Sequence, residues 1–154
     1  MRRAFALVTV LLLCLTACGI PRDPDASLER AMERGELVVG ASHTEPALIV
    51  DGDDVSGPEA ELVEAFAASR SMTVRWVAGG EEALVRMLEH GDLDLMVGGL
   101  TDKTPWASHV GVTRPWSEDT DEYGEPIKRV VAARLGENAM ISAFETFVDE
   151  RGRA

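Results

Sequence analysis

The sequence predicts an α/β fold, a single parallel-sheet lobe in which helices connect successive strands. Three short apolar runs alternate with two stretches whose apolar residues recur at helical spacing. The resulting order of strand, helix, strand, helix, strand is typical of parallel strands joined by right-handed crossovers. A length of 154 residues is a soft argument for one domain.

The first unit of this pattern begins with a short helix. Residues 28–34 are predicted to be helical, with Ser27 as the N-cap and Gly35 as the end. Residues 37–41 have the continuous apolar pattern of a buried strand. Residues 43–55 are predicted to form a loop, because they contain a proline and an Asp-Gly-Asp turn.

The next helix begins at a possible capping box. Ser56 and Glu59 have the spacing of that motif, and Pro58 falls in the predicted first turn. The capping box is the favoured explanation of Glu59 at this position. We therefore expect Glu59 to stabilise the start of the helix.

Two more strands and a helix complete the repeating part of the chain. Residues 73–77 alternate between polar and apolar and are predicted to be a strand. Residues 81–90 have one apolar face and are predicted to be a helix that ends at Gly91. Residues 93–97 form the third apolar run, and Gly98 follows directly. Ligands of such sheets bind beyond the carboxyl ends of the strands, which is where this glycine lies.

The C-terminal part has a different composition. Residues 117–126 carry five acidic residues and no basic one, without apolar periodicity, and are predicted to be a loop or linker. Residues 128–133 are predicted to form a last strand. Asn138 is a possible N-cap for a final helix over residues 139–150, which has an apolar face.

The N-terminus has the features of a lipoprotein signal peptide over residues 1–17. Two arginines precede an apolar run that is shorter than the roughly 20 residues of a spanning helix. The run ends in Leu-Thr-Ala-Cys, which resembles the bacterial lipobox and implies a lipid on Cys18. The alternative is an ordinary signal peptide cut near Ala17. Residues 18–27 are then a short tether between the membrane and the domain.

Charge and motifs exclude several functional classes. The formal net charge is −12, and no cluster of Lys and Arg is visible, so nucleic acid is not an expected partner. The sequence has no P-loop, nucleophile elbow or HExxH motif, and the three histidines lack metal-ligand spacing. We therefore expect no catalytic residues, no metal and no cofactor.

Five short motifs resemble one known family when they are taken in order. They are Gly-Glu-Leu-Val-Val-Gly, Gly-Pro-Glu-Ala-Glu-Leu, Gly-Asp-Leu-Asp-Leu-Met, Gly-Gly-Leu-Thr, and Val-Gly-Val-Thr-Arg-Pro-Trp, all between Gly35 and Trp116. This stretch resembles lobe 1 of the family 3 extracellular solute-binding proteins. These are the receptors of amino-acid ABC importers, with the periplasmic-binding-protein type II fold. Within the resemblance, Asp94 is expected to bond backbone, and Trp116 is expected to pack on the sheet edge.

The sequence departs from the family in its domain content. Family members continue into a second lobe after the position of Trp116 and then return. Here residues 28–116 match the lobe, residues 117–127 form an acidic linker in place of the second lobe, and residues 128–154 resemble the returning strand and final helix. The second lobe is therefore predicted to be absent.

The resemblance also implies a ligand-binding loop after the third strand. Its expected ligand-binding residues are Gly99, Leu100, Thr101, Thr104 and Trp106. The family places an arginine in this loop to bind the ligand's α-carboxylate, but in this chain its place falls at or beside Trp106. The glycines alone are equally consistent with a tight turn at the strand end. The indole would either stack on a ligand or cover the edge left open by the missing lobe.

Two functional hypotheses follow from these patterns. In the first, the protein is a lipoprotein on the extracytoplasmic face of the membrane. It binds a small polar, amino-acid-like solute, with a homodimer supplying the missing wall, and serves an ABC importer permease. In the second, the lobe has lost its ligand and docks on another envelope protein through the edge around Trp106.

Overall fold

A computed structural model describes residues 23–120 and 123–153. Their central element is a five-stranded sheet in the order β4-β1-β5-β9-β6. The strands are β1 (Glu36–Ala41), β2 (Ile49–Asp51), β3 (Asp54–Ser56), β4 (Thr73–Ala78), β5 (Leu95–Val97), β6 (Val110–Val112), β7 (Ser117–Thr120), β8 (Pro126–Arg129) and β9 (Ala132–Arg134). The helices are α1 (Ser27–Arg34), α2 (Pro58–Ser69), α3 (Glu81–His90) and α4 (Asn138–Arg151).

The repeating part of the sheet has the predicted α/β order. Strand β1 pairs in parallel with both β4 and β5, and α2 and α3 provide the connections between these strands. Strand β9 runs antiparallel to both β5 and β6, so the sheet is mixed rather than wholly parallel. The predicted fold class is confirmed, with this antiparallel strand as a correction to its detail.

The core has one layer on each face of the sheet. Alternate residues of β1 point to opposite faces, with Leu37 and Val39 in a first core cluster and Val38 in a second. The first cluster includes residues of α1, α2 and α4, and the second includes residues of α3. Phe66 and Phe144 join α2 to α4, with ring centroids 5.0 Å apart. Full burial of one such ring contributes roughly 1.5–3 kcal/mol to folding.

The buried carboxylate of Asp94 bonds backbone, as predicted. Asp94 is 6% exposed, and its Oδ2 accepts hydrogen bonds from the Val38 N–H at 2.8 Å and from Arg34 Nη2 at 2.7 Å. The bonds join the loop before β5 to β1 and to the end of α1. Burial of this carboxylate is tolerated because both partners are donors and one is a cation.

The acidic linker is a β-hairpin in the structure, which corrects the prediction of a loop over residues 117–126. Strands β7 and β8 pair antiparallel, with Thr120 opposite Pro126. Lys128 lies opposite Glu118, with 3.5 Å between Nζ and Oε1. Cross-strand charge pairing of this kind supports a strand in which apolar alternation is missing.

Two other predictions of secondary structure are also corrected. The predicted loop over residues 43–55 contains the hairpin of β2 and β3, which turns at the predicted Asp-Gly-Asp segment. The single predicted strand over residues 128–133 is divided between β8 and β9. Between them, the Val130 N–H donates to the Leu100 carbonyl at 2.9 Å and the Val131 N–H to Thr113 Oγ1 at 3.0 Å. These residues therefore change partners where the strand was expected to continue.

The predicted helix caps at Ser27 and Asn138 are wrong, because each residue is the first of its helix. Glu137 accepts hydrogen bonds from the N–H groups of Ser27 at 2.7 Å and Asp25 at 2.9 Å, and so caps α1 from 110 residues away. In return Asp23 accepts the Ala139 N–H at the start of α4. The last residues of the predicted tether are thus hydrogen bonded to the lobe.

The segment predicted to be a signal peptide, residues 1–17, and the lipidation site Cys18 lie outside the described residues. None of the helices in residues 23–120 and 123–153 combines the length and apolar character needed to cross a bilayer.

Candidate functional site

The candidate site lies at the carboxyl ends of β1, β4 and β5, where the parallel strands diverge into loops. Parallel pairing continues one step past the strands, with Ser42 N donating to the Val97 carbonyl at 3.0 Å and Gly79 N to the Ala41 carbonyl at 3.1 Å. Beyond these bonds the loops separate. Open α/β sheets bind ligands at this edge.

The glycine pair after β5 is required by close approach of the backbone. Gly98 and Gly99 have φ of 137° and 75°, in the region that disfavours side chains. A Cβ at Gly98 would lie 2.3 Å from the Ser42 carbonyl oxygen, and one at Gly99 would lie 2.4 Å from Thr44 Cγ2. Thr44 Oγ1 also donates to the Gly98 carbonyl at 2.8 Å. The glycines therefore join the loops after β1 and β5 into one surface.

The Glu59 carboxylate accepts hydrogen bonds from this glycine loop and does not cap its own helix, which corrects the capping-box prediction. The helix N-cap is Gly57, with no side-chain cap, and the Glu59 side chain is fully buried. Its Oε2 accepts the N–H groups of Gly98 at 2.8 Å and Gly99 at 3.0 Å, while Oε1 is buried with no partner among the described residues. Burial raises the pKa of Glu59, and hydrogen bonds from the two glycines and the charge of Arg129 oppose that shift.

The predicted ligand-binding residues after the glycines have different surroundings. Leu100 is 3% exposed and packs in the second core cluster, so only its backbone is near the edge. Thr101 is partly buried, and its Oγ1 accepts the Lys103 N–H at 3.3 Å, which leaves the hydroxyl hydrogen available to donate. Thr104 is 9% exposed, and its Oγ1 accepts the Trp106 N–H at 3.4 Å, which shapes the loop.

Trp106 closes the loop against the start of α3. The indole packs against the second core cluster, and its Nε1 donates to Glu81 Oε2 at 2.9 Å. The His109 ring lies edge-on to it at 6.2 Å between centroids. The indole is partly buried and held in place by these contacts. Its role as a wall of the site that a ligand contacts stays a prediction.

Arg129 is a residue near the site that the sequence reasoning missed. It lies at the end of β8, where its Cα pairs with Thr101 in an isolated antiparallel bridge. Paired residues place their side chains on the same side of the ladder. The only available signal was the adjacent pair Lys128 and Arg129, and the hairpin register decides which of the two faces Thr101.

A cavity lies apart from this edge, between α2 and the end of α4. It has a volume of ≈ 370 Å³ and is lined by Pro58, Glu61, Leu62, Trp116, Val148, Arg151 and Gly152. Trp116 packs against the first core cluster, as predicted, but its buried Nε1 has no hydrogen-bond partner among the described residues.

Histidine and carboxylate side chains of the described residues form pairs and not a metal-binding cluster. Among residues 23–120 and 123–153, no three His, Cys, Asp or Glu side chains are grouped as a metal site would require. His43 lies 3.6 Å from Glu45, and His109 lies 2.8 Å from Glu89, each as a surface pair.

Comparison with known sequences finds partial relatives. No protein-family profile matches the chain. It is 32% identical over 106 residues to the membrane-bound lytic murein transglycosylase F of Vibrio vulnificus, covering 68% of this chain and 20% of that protein. A protein of the same name from Maricaulis maris is 38% identical, with 64% and 23% covered. The chain thus spans about a fifth of the length of these curated relatives.

Comparison with solved structures extends over most of the chain. The arginine-bound form of domain 1 from TmArgBP matches with a TM-score of 0.69 at 20% identity, covering 79% of this chain and 97% of that domain. An ancestral cationic amino acid solute binding protein matches with a TM-score of 0.72 at 14% identity, covering 82% and 94%. The described chain therefore has the fold of a single lobe of a periplasmic-binding-protein type II structure.

Proposed function

We propose that this chain is a non-catalytic, extracytoplasmic solute-binding lobe that captures a small polar, amino-acid-like solute. One observation carries the proposal: the glycine loop from Gly98 to Thr101 lies at the carboxyl ends of the parallel strands, with a partly buried hydroxyl available to donate. The solved structures of the same fold include an arginine-bound domain and an ancestral cationic amino acid solute binding protein.

A single lobe leaves one side of its ligand open to water. Small-molecule sites usually bury 70–90% or more of the ligand surface, so we expect weak binding by a monomer. Two copies that face each other across the glycine edge would supply the second wall. A homodimer that forms only when solute is present would therefore agree with the proposal.

The proposal also places the lobe at the outer face of a membrane. The lipobox at Cys18 would provide the anchor, and an ABC importer permease would be the partner that receives the solute. A Cys18→Ser variant should move from the membrane pellet to the soluble fraction of lysed cells. If the variant stays in the pellet, the lipid anchor is wrong.

A thermal-shift screen of the mature chain, residues 19–154, tests solute binding directly. Amino acids, polyamines, sugars and organic acids would each be added at millimolar concentration. A ligand at 100 times its dissociation constant stabilises a protein by about 2.7 kcal/mol, a clear shift for a domain of this size. A cooperative melt without any shift would contradict the proposal.

Two substitutions locate the binding that such a screen detects. Thr101→Ala removes the available hydroxyl, and Trp106→Ala removes the wall of the site, so both should weaken binding. Thr146→Ala is the matched control, because Thr146 is exposed on α4 and bonds only to the Ser142 carbonyl. Unchanged affinity in the first two variants would exclude this edge as the site.

A docking module is the second candidate, and the cavity beside Trp116 favours it. Its largely apolar lining, flanked by Glu61 and Arg151, and its buried indole N–H without an acceptor among the described residues are features of a surface that a partner completes. The curated relatives are named as membrane-bound lytic murein transglycosylases, so an envelope protein is the expected class of partner. A monomer that binds no solute but is retained by envelope extracts through Trp116 would favour this candidate.

A further inference from the structure

The basic side chains of the described residues differ in their partners. Several are paired with carboxylates, as Lys128 is with Glu118. Others are exposed to solvent, as Arg30 is on α1. Arg70 is partly buried, with its guanidinium 4.4 Å from the Phe66 ring centroid and bonded to the Ala143 carbonyl. Within residues 23–120 and 123–153, Arg129 alone is partly buried without a hydrogen bond or ion pair from its guanidinium.

Backbone pairing fixes the position of Arg129 beside the glycine loop. It lies opposite Thr101 in one bridge and opposite Ser117 in the β7–β8 ladder. The Val130 N–H and the Lys128 carbonyl hold this segment against the loop, through bonds of 2.9 Å to the Leu100 carbonyl and 3.0 Å from Asp102 N. Because the ladder fixes the side of Thr101 and Arg129, the hydroxyl and the guanidinium serve one surface.

We propose that Arg129 is the anion-recognising residue of this edge, and that it binds a carboxylate group of the solute beside the Thr101 hydroxyl. This inference rests on the proposed solute-binding function. A residue of β8 would then bind the carboxylate, because the loop around Trp106 has no arginine that could do so. The guanidinium presents two parallel N–H donors to the two oxygens of a carboxylate, a geometry that a lysine does not reproduce.

The surroundings of Arg129 favour a monoanionic carboxylate over a phosphate. The charge of Arg129 acts on Glu59, a buried carboxyl group that is already bonded to Gly98 and Gly99. Lys103 is the other basic residue of the loop, and it is exposed. One guanidinium and one hydroxyl match a single carboxylate, whereas a phosphate dianion would need further donors.

Paired ligands with and without a carboxylate test the inference on the mature chain. The probes are L-arginine with L-argininamide and L-alanine with L-alaninamide, measured by calorimetry. We expect the wild-type chain to bind the acids at least about tenfold more tightly than the amides. The amides carry more positive charge, and the chain has a formal charge of −12, so non-specific attraction would favour the amides instead.

Three variants then assign the preference to a residue. Arg129→Gln should bind each acid as weakly as its amide, and Arg129→Lys should retain part of the preference. Arg30→Gln, an exposed arginine on α1, should behave as wild type. If Arg129→Gln does not melt cooperatively, a full preference in Arg129→Lys overturns the inference.

The outcomes separate this inference from the function on which it rests. Equal binding of acid and amide by the wild-type chain, or an undiminished preference in Arg129→Gln, overturns the role of Arg129 and leaves solute binding intact. No binding of any probe, together with no hit in the wider screen, overturns both.

Discussion

Replacement of Glu59 by glutamine should change the pH dependence of folding. Glu59 is fully buried, and one of its oxygens accepts both glycine N–H groups while the other has no partner among the described residues. Glutamine has the same shape and keeps an oxygen for the two bonds, so Glu59→Gln mainly removes the ionisation. The free energies of unfolding of wild type and variant then differ by the cost of burying the charge of Glu59.

The sign follows from the raised pKa of Glu59. Below its ordinary value of 4.5 the carboxyl is protonated in both the folded and the unfolded chain, and the pH has no effect through this group. As the pH rises through the window between 4.5 and the raised pKa, the unfolded chain loses its proton first. Wild type should therefore lose stability relative to Glu59→Gln by about 1.4 kcal/mol for each pH unit in the window. Above the window the difference should stay constant.

Urea denaturation followed by tryptophan fluorescence measures this difference at a series of pH values from 4 to 8. Glu61→Gln is the matched control, because Glu61 lies in the same first turn of α2 but is exposed. Glu59→Leu removes the acceptor altogether and leaves the buried Gly98 N–H and the partly buried Gly99 N–H unpaired, at a cost of about 2–4 kcal/mol. A difference between wild type and Glu59→Gln that does not change with pH would refute the argument.

Two further predictions concern the loop and the helix caps. Gly98→Ala should destabilise the chain by about 2–6 kcal/mol, because Gly98 has a positive φ and the new Cβ would lie 2.3 Å from the Ser42 carbonyl oxygen. The control is Gly80→Ala, where φ is −76° and a Cβ would meet no atom of another segment within 4 Å. This variant should stay within about 0.5 kcal/mol of wild type. Equal melting temperatures for these two variants would contradict the proposed contact. Burial acts to raise the pKa of Glu137, but hydrogen bonds from Ser27 and Asp25 together with the charge of Arg134 lower it overall. The stabilisation by Glu137 is therefore present above pH 4.5 and lost as the pH falls through the folded pKa. Glu137→Gln should therefore cost about 1–3 kcal/mol at pH 7 and much less at pH 3, with exposed Glu33→Gln unaffected; a loss that is equal at both pH values would count against the cap.

Local patterns were sufficient for the repeating part of the fold. Strands β1, β4 and β5 and helix α3 lie at the predicted segments, with β1 and β4 each one residue longer, and α2 begins in the predicted segment. Their apolar spacing reports burial directly. The β7 strand could not be found in this way. Its sequence, Ser-Glu-Asp-Thr, has no apolar alternation, and its conformation depends on pairing with β8.

The candidate site shows the same limit. The position of the glycine loop followed from the rule that ligands bind at strand ends. The buried role of Glu59 did not follow, because its partners lie 39 and 40 residues away and the local capping pattern offered a simpler explanation. Arg129 was missed because its place beside Thr101 is set by a hairpin register that the sequence does not reveal.

The β7–β8 hairpin has a consequence for protein engineering. Strand β7 ends at Thr120 and strand β8 begins at Pro126, and these residues are direct partners across the ladder. Antiparallel partners have Cα atoms only about 5 Å apart, so a guest domain whose termini lie close together could be grafted there without displacing either strand. A fluorescent protein inserted at this position would be connected directly to the strand that carries Arg129, so the hairpin is a suitable insertion site for a solute reporter.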